Sequence, residues 1–261
     1  MNTNTDSFYF DRTTDARDSQ STRHYHSSYE VYLMTDGHCR YFIEDRSYDV
    51  RTGDVVMICP GVIHRTNYIS QKHSRLLVNF DGSLLPPSIR GREFDLFYRD
   101  RRLTEQVKEQ LLGIEKECEL SDEKSMDAIR LRLGMIALLL HRARTGVDEE
   151  ECCSVAQRTV KLLKEKYAQD LRLSTVADTL GVSSEHLSRV FKKETGFGFN
   201  EYLTLLRLQK AEYMLKNEPG KTVSEIAYAC GFNDGNYFSH KFRITYGIPP
   251  TRIRKEGEKK I

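Results

Sequence analysis

The side chains best suited to contact another molecule are polar and basic residues on two matching stretches in the C-terminal part of the chain. They are Glu185, Ser188, Arg189 and Lys192 in the first stretch, and Asn236, Ser239, His240 and Arg243 in the second. An arginine fork can bond O6 and N7 of guanine, a glutamate can accept from N4 of cytosine, and a serine can bond either kind of edge. This set of residue types predicts that the chain reads base edges in duplex DNA.

The elements that must position these residues occur twice, at 174–196 and at 224–247. The positions shared by the two copies are Val176 and Ile226, Ala177 and Ala227, Gly181 and Gly231, Leu187 and Phe238, Phe191 and Phe242, and Gly196 and Gly247. A glycine four residues after a small alanine suits a helix that ends in left-handed backbone. Ser183, and Asn233 or Asp234 in the second copy, can then cap the next helix. Each copy therefore predicts a helix-turn-helix.

Apolar anchors decide which face of each second helix stays free. Leu187 and Phe191 lie four residues apart on one helical face, as do Phe238 and Phe242, so the opposite face is left to solvent or DNA. A single such pattern also fits an ordinary helix pair of an all-helical domain. Two matched copies with basic ends favour DNA binding over that alternative.

The charge of the chain is unevenly distributed. The formal net charge is only +2, but residues 155–261 hold 19 Lys and Arg against 12 Asp and Glu, a net +7. Residues 1–154 hold the other 21 basic residues against 26 acidic ones, a net −5. The C-terminal part can therefore neutralise phosphates, whereas the N-terminal part is expected to avoid DNA.

Residues from about 155 to 257 resemble the DNA-binding domain of the AraC/XylS family of bacterial transcription regulators. The supporting stretches are HLSRVFKKETG, FNEYLTLLRLQKAEYML, IAYACGF and YFSHKFRITYGIPPTRIR. The resemblance implies two helix-turn-helix units joined by a long helix, here residues 200–216, which would span about 25 Å. Successive major-groove turns lie about 34 Å apart, so one chain could cover two adjacent grooves on one face of DNA.

Each candidate contact has an expected partner on the DNA. The base contacts are Glu185, Ser188, Arg189, Asn236, Ser239 and His240. The phosphate contacts are Lys192, Lys193, Lys241 and Arg243. Arg189 is the first candidate for a guanine contact. His240 departs from an arginine that is common in the family, and Gly235 has no side chain, so the second unit is expected to read sequence less strongly.

Residues 23–80 predict several short strands. The segments YEVYLM, CRYFIE, SYDV, DVVMIC and RLLVNF are rich in aromatic and β-branched residues and are separated by turn residues such as Asp36-Gly37 and Pro60-Gly61. Short strands at this spacing are typical of a sandwich or small barrel. The stretches HYHSSYEVYLMTDG and GDVVMICPGVIH resemble a cupin barrel. His24, His26, Glu30 and Gly37 match the first cupin motif, whereas Gly53, Pro60, Gly61 and His64 follow the second one loosely.

The cupin resemblance leaves two interpretations of His24, His26, Glu30 and His64. In enzymatic cupins such residues bind a divalent metal, and three imidazoles with a carboxylate suit Zn, Fe, Ni or Mn. In a sensor barrel they line a small-molecule pocket instead, and barrel mouths are common ligand sites. Further candidates for the pocket are Arg40, Tyr41, Arg65, Asn67 and Tyr68, which suit a polyhydroxylated ligand but equally suit an exposed surface.

Two apolar stripes at helical spacing follow the strands. Leu103, Val107, Leu111 and Ile114 form the first, which breaks after Leu120, and 126–140 contains the second. They predict an antiparallel helical hairpin. Packing on the barrel is one use of its helices, and the resemblance implies another, a homodimer formed through one of them. The expected domains are a polar arm over 1–20, a sensing barrel over 21–95, the hairpin over 96–144, a linker over 145–154 and the DNA-binding domain over 155–258.

The remaining composition narrows the class of protein. No apolar run approaches the ~20 residues of a membrane span, and MNTNTDSFYF lacks the features of a signal peptide, so a cytoplasmic protein is expected. The six cysteines form no CxxC pair, and disulfides are not expected in the cytosol. The adjacent Cys152 and Cys153 suit either incidental linker residues or an oxidant sensor.

Together these features predict an α+β chain with an N-terminal cupin-like β-barrel and helical hairpin, and a C-terminal all-α domain of two helix-turn-helix units. The expected function is a DNA-binding transcription regulator, an activator by family habit, that responds to a small effector such as a sugar and contacts RNA polymerase. No catalytic residue or cofactor is expected. Two alternatives remain: a metal-dependent cupin enzyme fused to a DNA-binding domain, and a regulator whose barrel only dimerises.

Overall fold

The computed structural model describes residues 7–17, 23–24, 28–44, 46–144 and 154–258. Within these ranges the chain forms two compact units. The first contains most of the strands and the two helices that follow them. The second contains the described residues from 154 onward, together with the short segments 42–47 and 63–65. The predicted order of a strand-rich part followed by an all-helical part is confirmed.

The strands form two sheets. The described strands are β1 (Phe8–Ala16), β2 (Arg23–His24), β3 (Tyr29–Asp36), β4 (His38–Ile43), β5 (Arg46–Arg51), β6 (Val55–Ile58), β7 (His64–Tyr68), β8 (His73–Phe80) and β9 (Phe97–Tyr98). One sheet has the order β1-β8-β3-β6-β9 and the other β2-β7-β4-β5. All five segments predicted as strands are strands. Strands β2, β7 and β9 were not among the predicted segments, and the polar residues of β7 do not mark it as a strand.

The N-terminal residues differ from the polar arm that the composition suggests. Residues 8–16 form β1, which pairs antiparallel with β8 in a register that places Phe8 opposite Phe80 and Phe10 opposite Val78. Phe8 and Phe10 are both buried. These two aromatic residues supply the apolar surface that an unattached arm would lack, so the segment is an integral strand.

The larger sheet has one apolar face. Phe10, Val31, Leu33, Leu76 and Val78 alternate along their strands and belong to one buried cluster. The same cluster includes apolar residues of two helices, α1 (Arg101–Leu120) and α2 (Ser125–Arg142). The helical hairpin therefore packs on this face of the sheet. Alternation leaves the other face for a different set of side chains.

The predicted helix boundaries of the hairpin are close to those observed. The Asp100 side chain accepts from the Leu103 amide at the start of α1, and Ser121 ends α1 in left-handed backbone with φ of 51°. Val107, Leu111, Ile114, Leu133 and Leu140 are fully buried. The two stripes predicted from the sequence are thus the faces by which α1 and α2 pack.

In the described part of the chain, residues 154–258 of the second compact unit form seven helices. They are α3 (Val155–Lys166), α4 (Leu173–Leu180), α5 (Ser184–Thr195), α6 (Phe199–Asn217), α7 (Val223–Ala229), α8 (Gly235–Tyr246) and α9 (Pro250–Glu258). The pairs α4–α5 and α7–α8 are the two predicted helix-turn-helix units, and α6 is the predicted long helix. Each pair packs internally, and α3 also packs against α4 and α5.

Candidate nucleic-acid interface and ligand site

Both candidate reading helices begin at the caps predicted from the sequence. The Ser183 side chain accepts from the His186 amide at 3.1 Å. In the second helix-turn-helix unit, Asp234 rather than Asn233 is the cap, and it accepts from the Tyr237 amide at 2.8 Å. A cap satisfies amides that the first helical turn leaves unpaired. It therefore fixes where α5 and α8 start, and with it the residues that point outward in the first turn.

Buried anchors hold the opposite face of each helix. Leu187 and Phe191 of α5 are fully buried, as are Phe238 and Phe242 of α8. Phe191 meets Tyr202 of α6 edge-on, with ring centroids 5.6 Å apart. With these positions fixed inside, the residues between them must face outward.

The predicted base-contact residues lie on those outward faces. Glu185, Ser188 and Arg189 are exposed on α5, and Asn236 and His240 are exposed on α8. Ser239 is half-buried. Each helix therefore presents three predicted contacts within its first two turns, at positions that correspond between the two copies.

The predicted phosphate contacts lie close to the same faces. Lys192, Lys193 and Arg243 are exposed. Lys241 is half-buried, and its Nζ lies 5.5 Å from the centroid of the Tyr237 ring, a cation–π contact. Tyr237 is itself 48% exposed in the first turn of α8. Tyr237 was not among the predicted DNA contacts, although it directly follows the predicted base contact Asn236 in the sequence.

The first compact unit has a polar cluster on one face of its larger sheet. This is the face opposite the one on which the helical hairpin packs. Glu30, Tyr32 and Met34 alternate along β3, and Arg75 and Asn79 lie opposite Met34 and Glu30 on β8. Side chains of the smaller sheet meet this face. The Tyr32 hydroxyl lies 3.8 Å from Sγ of Cys39 on β4 and shares a hydrogen bond with Tyr68 on β7. The cluster therefore lies between the two sheets.

A buried carboxylate and a tyrosine form the centre of this polar cluster. Glu30 is 0% exposed, and the Tyr41 hydroxyl donates to its carboxylate. Burial, together with the negative charge of Glu30, raises the pKa of Tyr41 well above its ordinary value. Burial likewise raises the pKa of the Cys39 thiol to about 12. These groups thus stay neutral near pH 7, and Tyr41 remains a hydrogen-bond donor to Glu30.

Arg75 supplies the positive charge of the cluster. Its Nη2 lies 3.0 Å from the Asp11 carboxylate on β1, and its guanidinium lies 6.0 Å from the centroid of the Tyr32 ring. In the part of the chain that the structure describes, Nε and Nη1 of Arg75 and Oδ1 of Asn79 are buried without a hydrogen-bond partner. Such atoms normally have a partner.

The structure brings together some of the predicted pocket residues and separates others. Glu30, Tyr41 and Tyr68 belong to the polar cluster, and His64 is buried on the same face of β7 as Tyr68. Arg40 alternates with Tyr41 and lies on the other face of β4, where it pairs with Asp49 at 3.7 Å. Arg65 and Asn67 likewise alternate with Tyr68. The side chain of His24, and all of His26, lie outside the described residues, as do Cys152 and Cys153.

Sequence reasoning missed several members of the polar cluster: Asp11, Tyr32, Cys39, His73, Arg75 and Asn79. The ring of His73 stacks on that of Tyr68, with centroids 3.5 Å apart. A signal was present, because RLLVNF places Arg75 and Asn79 four residues apart in a strand that otherwise looks apolar. Which strands lie opposite each other could not be determined from this pattern.

Comparisons with known proteins agree with this architecture. A family described as the AraC-like ligand binding domain matches residues 10–131, and one described as a helix-turn-helix domain matches residues 176–256. The HTH-type transcriptional activator RhaS of Escherichia coli strain SMS-3-5 is 25% identical over 242 residues, which cover 89% of this chain and 87% of that protein.

Similar solved structures include one partial and one nearly full-length match. The C-terminal domain of AraT, a response regulator from Geobacillus stearothermophilus, is 32% identical with a TM-score of 0.39, and the match covers 41% of this chain and 88% of that one. Unsaturated fatty acid bound ToxT from Vibrio cholerae strain SCE256 is 15% identical with a TM-score of 0.40, over 97% of this chain and 96% of that one.

A strand-rich ligand-binding domain followed by two helix-turn-helix units defines a class of transcription regulators. The chain belongs to the AraC/XylS family of these regulators. None of its described helices has the length and apolar character needed to cross a membrane.

Proposed function

We propose that this regulator binds duplex DNA sequence-specifically through α5 and α8 and activates transcription in response to a small polar effector. One observation supports the DNA-binding part most directly. Two capped helices with buried aromatic or aliphatic anchors expose corresponding polar faces. Ordinary packing helices would not need matched exposed faces. A protein that acts on bacterial promoters works in the cytoplasm.

Contacts are assigned by residue chemistry and position. Recognition helices read bases mainly with residues near their N-terminus. Glu185, Ser188 and Arg189 therefore read one groove segment, and Asn236, Ser239 and His240 read the next. Lys192, Lys193, Lys241 and Arg243 bind phosphates and set the register. The 19 residues of α6 span about 28 Å at about 1.5 Å per residue, close to the separation of successive grooves.

Selection from a random duplex library with the purified full chain tests this proposal. We expect an enriched sequence with two conserved segments about 10 base pairs apart, one helical turn. Footprinting should protect both segments on one face of the duplex. Selection that enriches no sequence, or a single segment that α8 variants do not affect, would contradict DNA reading by both helices.

We assign the effector to the polar cluster between the two sheets. The cluster offers carboxylate, guanidinium, amide and phenol groups, and the apolar residues of the larger sheet lie on its other face. The charges of Glu30 and Asp11 exceed that of Arg75, so an anionic ligand would meet repulsion. A long aliphatic chain would leave these buried polar groups without partners. The residues therefore suit a neutral polyhydroxylated ligand, such as a sugar.

A thermal-shift screen of the full chain tests this assignment. Neutral sugars, sugar phosphates, fatty acids and divalent metals form the panel, because each represents one kind of ligand. Ligand at about 100 times its Kd stabilises the folded protein by about 2.7 kcal/mol. We expect a shift with a neutral sugar that is lost in Asn79→Ala. A shift only with metal would favour a metal-binding cupin, and a shift only with fatty acid would contradict a polar site.

The same proposal includes a homodimer formed through α2. Leu131 and Met135 are 76% and 46% exposed and lie one turn apart on the helix. Exposed apolar residues in such a stripe are typical of an interaction surface. Sedimentation of Leu131→Glu should show more monomer than the unaltered chain. An unchanged dimer, or a monomeric starting protein, would remove α2 from this role. An activator would also contact RNA polymerase.

A further inference from the structure

We propose that Arg207 is a positioning residue that fixes the orientation of one helix-turn-helix unit relative to the other. Arg207 lies near the middle of α6, the helix between the two units. Its Nε donates to the carbonyl of Tyr167 at 2.7 Å, and its Nη2 donates to the carbonyl of Gln169 at 2.8 Å. Both carbonyls belong to the end of α3 and the turn that follows it.

The end of a helix is a favourable partner for this side chain. The last carbonyls of a helix have no partner within the helix and carry partial negative charge. A planar guanidinium can bond one such carbonyl, here that of Tyr167, and at the same time the Gln169 carbonyl of the following turn, which a lysine cannot do with the same geometry. One turn further along α6, Nζ of Lys210 lies 6.0 Å from the centroid of the Tyr167 ring. Two basic residues of α6 therefore contact the end of α3.

The second helix-turn-helix unit meets the same point. Gly231, in the turn between α7 and α8, has φ of +85°. A Cβ atom built there would lie 2.9 Å from the Ala168 carbonyl oxygen and 3.0 Å from Nε of Arg207. The turn of the second unit thus packs directly on the end of α3 and on the guanidinium. No other residue type fits this conformation and this space without displacement.

The convergence of these elements determines what Arg207 controls. Helix α3 packs against α4 and α5, and α7 packs against α8. The end of α3 is therefore held in place relative to α5, the first reading helix. The turn at Gly231 is held in place relative to α8, the second reading helix. Because Arg207 bonds the former and contacts the latter, it restrains the angle and spacing between α5 and α8. Its Nε and Nη2 donors are occupied by carbonyls, which disfavours a role in binding phosphate.

Binding to duplexes of altered spacing tests this inference, which rests on the proposed DNA reading by both helices. The probes are the duplex selected by the unaltered chain, variants with one or two base pairs inserted or removed between its segments, and a duplex with only the α5 segment. The proteins are the unaltered chain, Arg207→Gln, Arg207→Lys and Arg158→Gln. Arg158 is exposed on α3 and provides the same change away from the junction. Melting temperatures verify that each variant is folded.

Arg207→Gln should bind the selected duplex about tenfold more weakly, a difference of about 1.4 kcal/mol. It should bind the single-segment duplex as tightly as the unaltered chain does. Insertion of one base pair between the two segments should weaken its binding less than it weakens binding of the unaltered chain. Arg207→Lys should be intermediate, because it keeps the charge but not the fork. Arg158→Gln should match the unaltered chain.

The other outcomes distinguish the failure of this inference from failure of the proposed function. If the unaltered chain shows no spacing optimum, reading by both helices is wrong. If it shows one and both Arg207 variants keep the same optimum, the positioning role alone is wrong. An equal loss on the single-segment duplex would indicate a general structural role. If replacing Arg207 lowers the salt slope of DNA binding by about one, Arg207 contacts a phosphate instead.

Discussion

At the residue scale, two basic residues of α5 differ in the contact proposed for them because they differ in position along the helix. Arg189 and Lys193 lie four residues apart and are both exposed. Arg189 lies nearer the capped N-terminus, where the proposed base contacts lie, whereas Lys193 lies in the last turn. A guanidinium suits bidentate bonding to guanine, and an ammonium suits a phosphate as a point charge.

Replacing each of these residues by alanine should produce a different kind of loss. Arg189→Ala should relax the preference at one base pair and cost about 1–3 kcal/mol. Lys193→Ala should weaken binding to every sequence alike and lower the salt slope by about 1. Affinities for the selected duplex and its single-base variants, measured over a salt series, separate the two effects. A uniform loss for Arg189→Ala would show that it contacts the backbone and not a base.

At the element scale, the two turns that look alike in sequence differ in structure. Gly181 and Gly231 occupy corresponding positions and both have positive φ, at +70° and +85°. A Cβ at Gly181 would have nothing within 4 Å, whereas one at Gly231 would meet the Ala168 backbone at 2.9 Å. The first turn therefore needs glycine for its conformation alone, and the second needs it for packing as well.

Alanine substitutions at three glycines should reproduce this difference. Gly181→Ala should cost about 1–2 kcal/mol for left-handed backbone alone. Gly231→Ala should cost more, because the end of α3 must also move. Gly235→Ala, at an open position with no unusual φ, should be neutral or stabilise by up to about 1 kcal/mol. Urea unfolding of the three variants gives the ranking. Equal losses at Gly181 and Gly231 would contradict the observed packing of the second turn.

At the scale of the whole molecule, the interior of the first unit should make the chain sensitive to alkaline pH. Burial raises the pKa of Cys39 from 9.0 to about 12 and the pKa values of Tyr32 and Tyr41 well above 10.0. A pKa that is raised in the folded state contributes stability below the unfolded-state pKa and loses it as the pH rises through the folded-state value. Stability should therefore be retained up to about pH 9 and fall between pH 9 and 12.

Two measurements examine this pH dependence together. Urea unfolding at pH 8 and pH 10.5 should give a lower free energy of unfolding at the higher pH. Tyrosinate absorbance should show a group of tyrosines that ionise later in the native protein than in urea. If all the tyrosines of the native protein titrate near pH 10, the polar cluster is open to solvent. That result would contradict its burial between the two sheets.

The sequence by itself determined the features that depend on local pattern. Apolar residues at helical spacing identified the hairpin and the anchors of α5 and α8, and runs of aromatic and β-branched residues between turn residues identified five strands. The duplicated stretch established the two helix-turn-helix units, because corresponding residues end, cap or anchor the helices in the same way in both copies. The outward faces followed as well, since fixing Leu187 and Phe191 inside determines where Glu185, Ser188 and Arg189 point.

Only the tertiary structure decided the features that join distant parts of the chain. The sequence could not show that residues 8–16 pair with β8, that Arg40 faces away from Tyr41, or that Arg75 and Asp11 meet. It also could not show that Arg207 connects Tyr167 with Gly231. The physical reason is that these contacts join residues on different elements, whereas periodicity reports only which side of its own element a residue lies on.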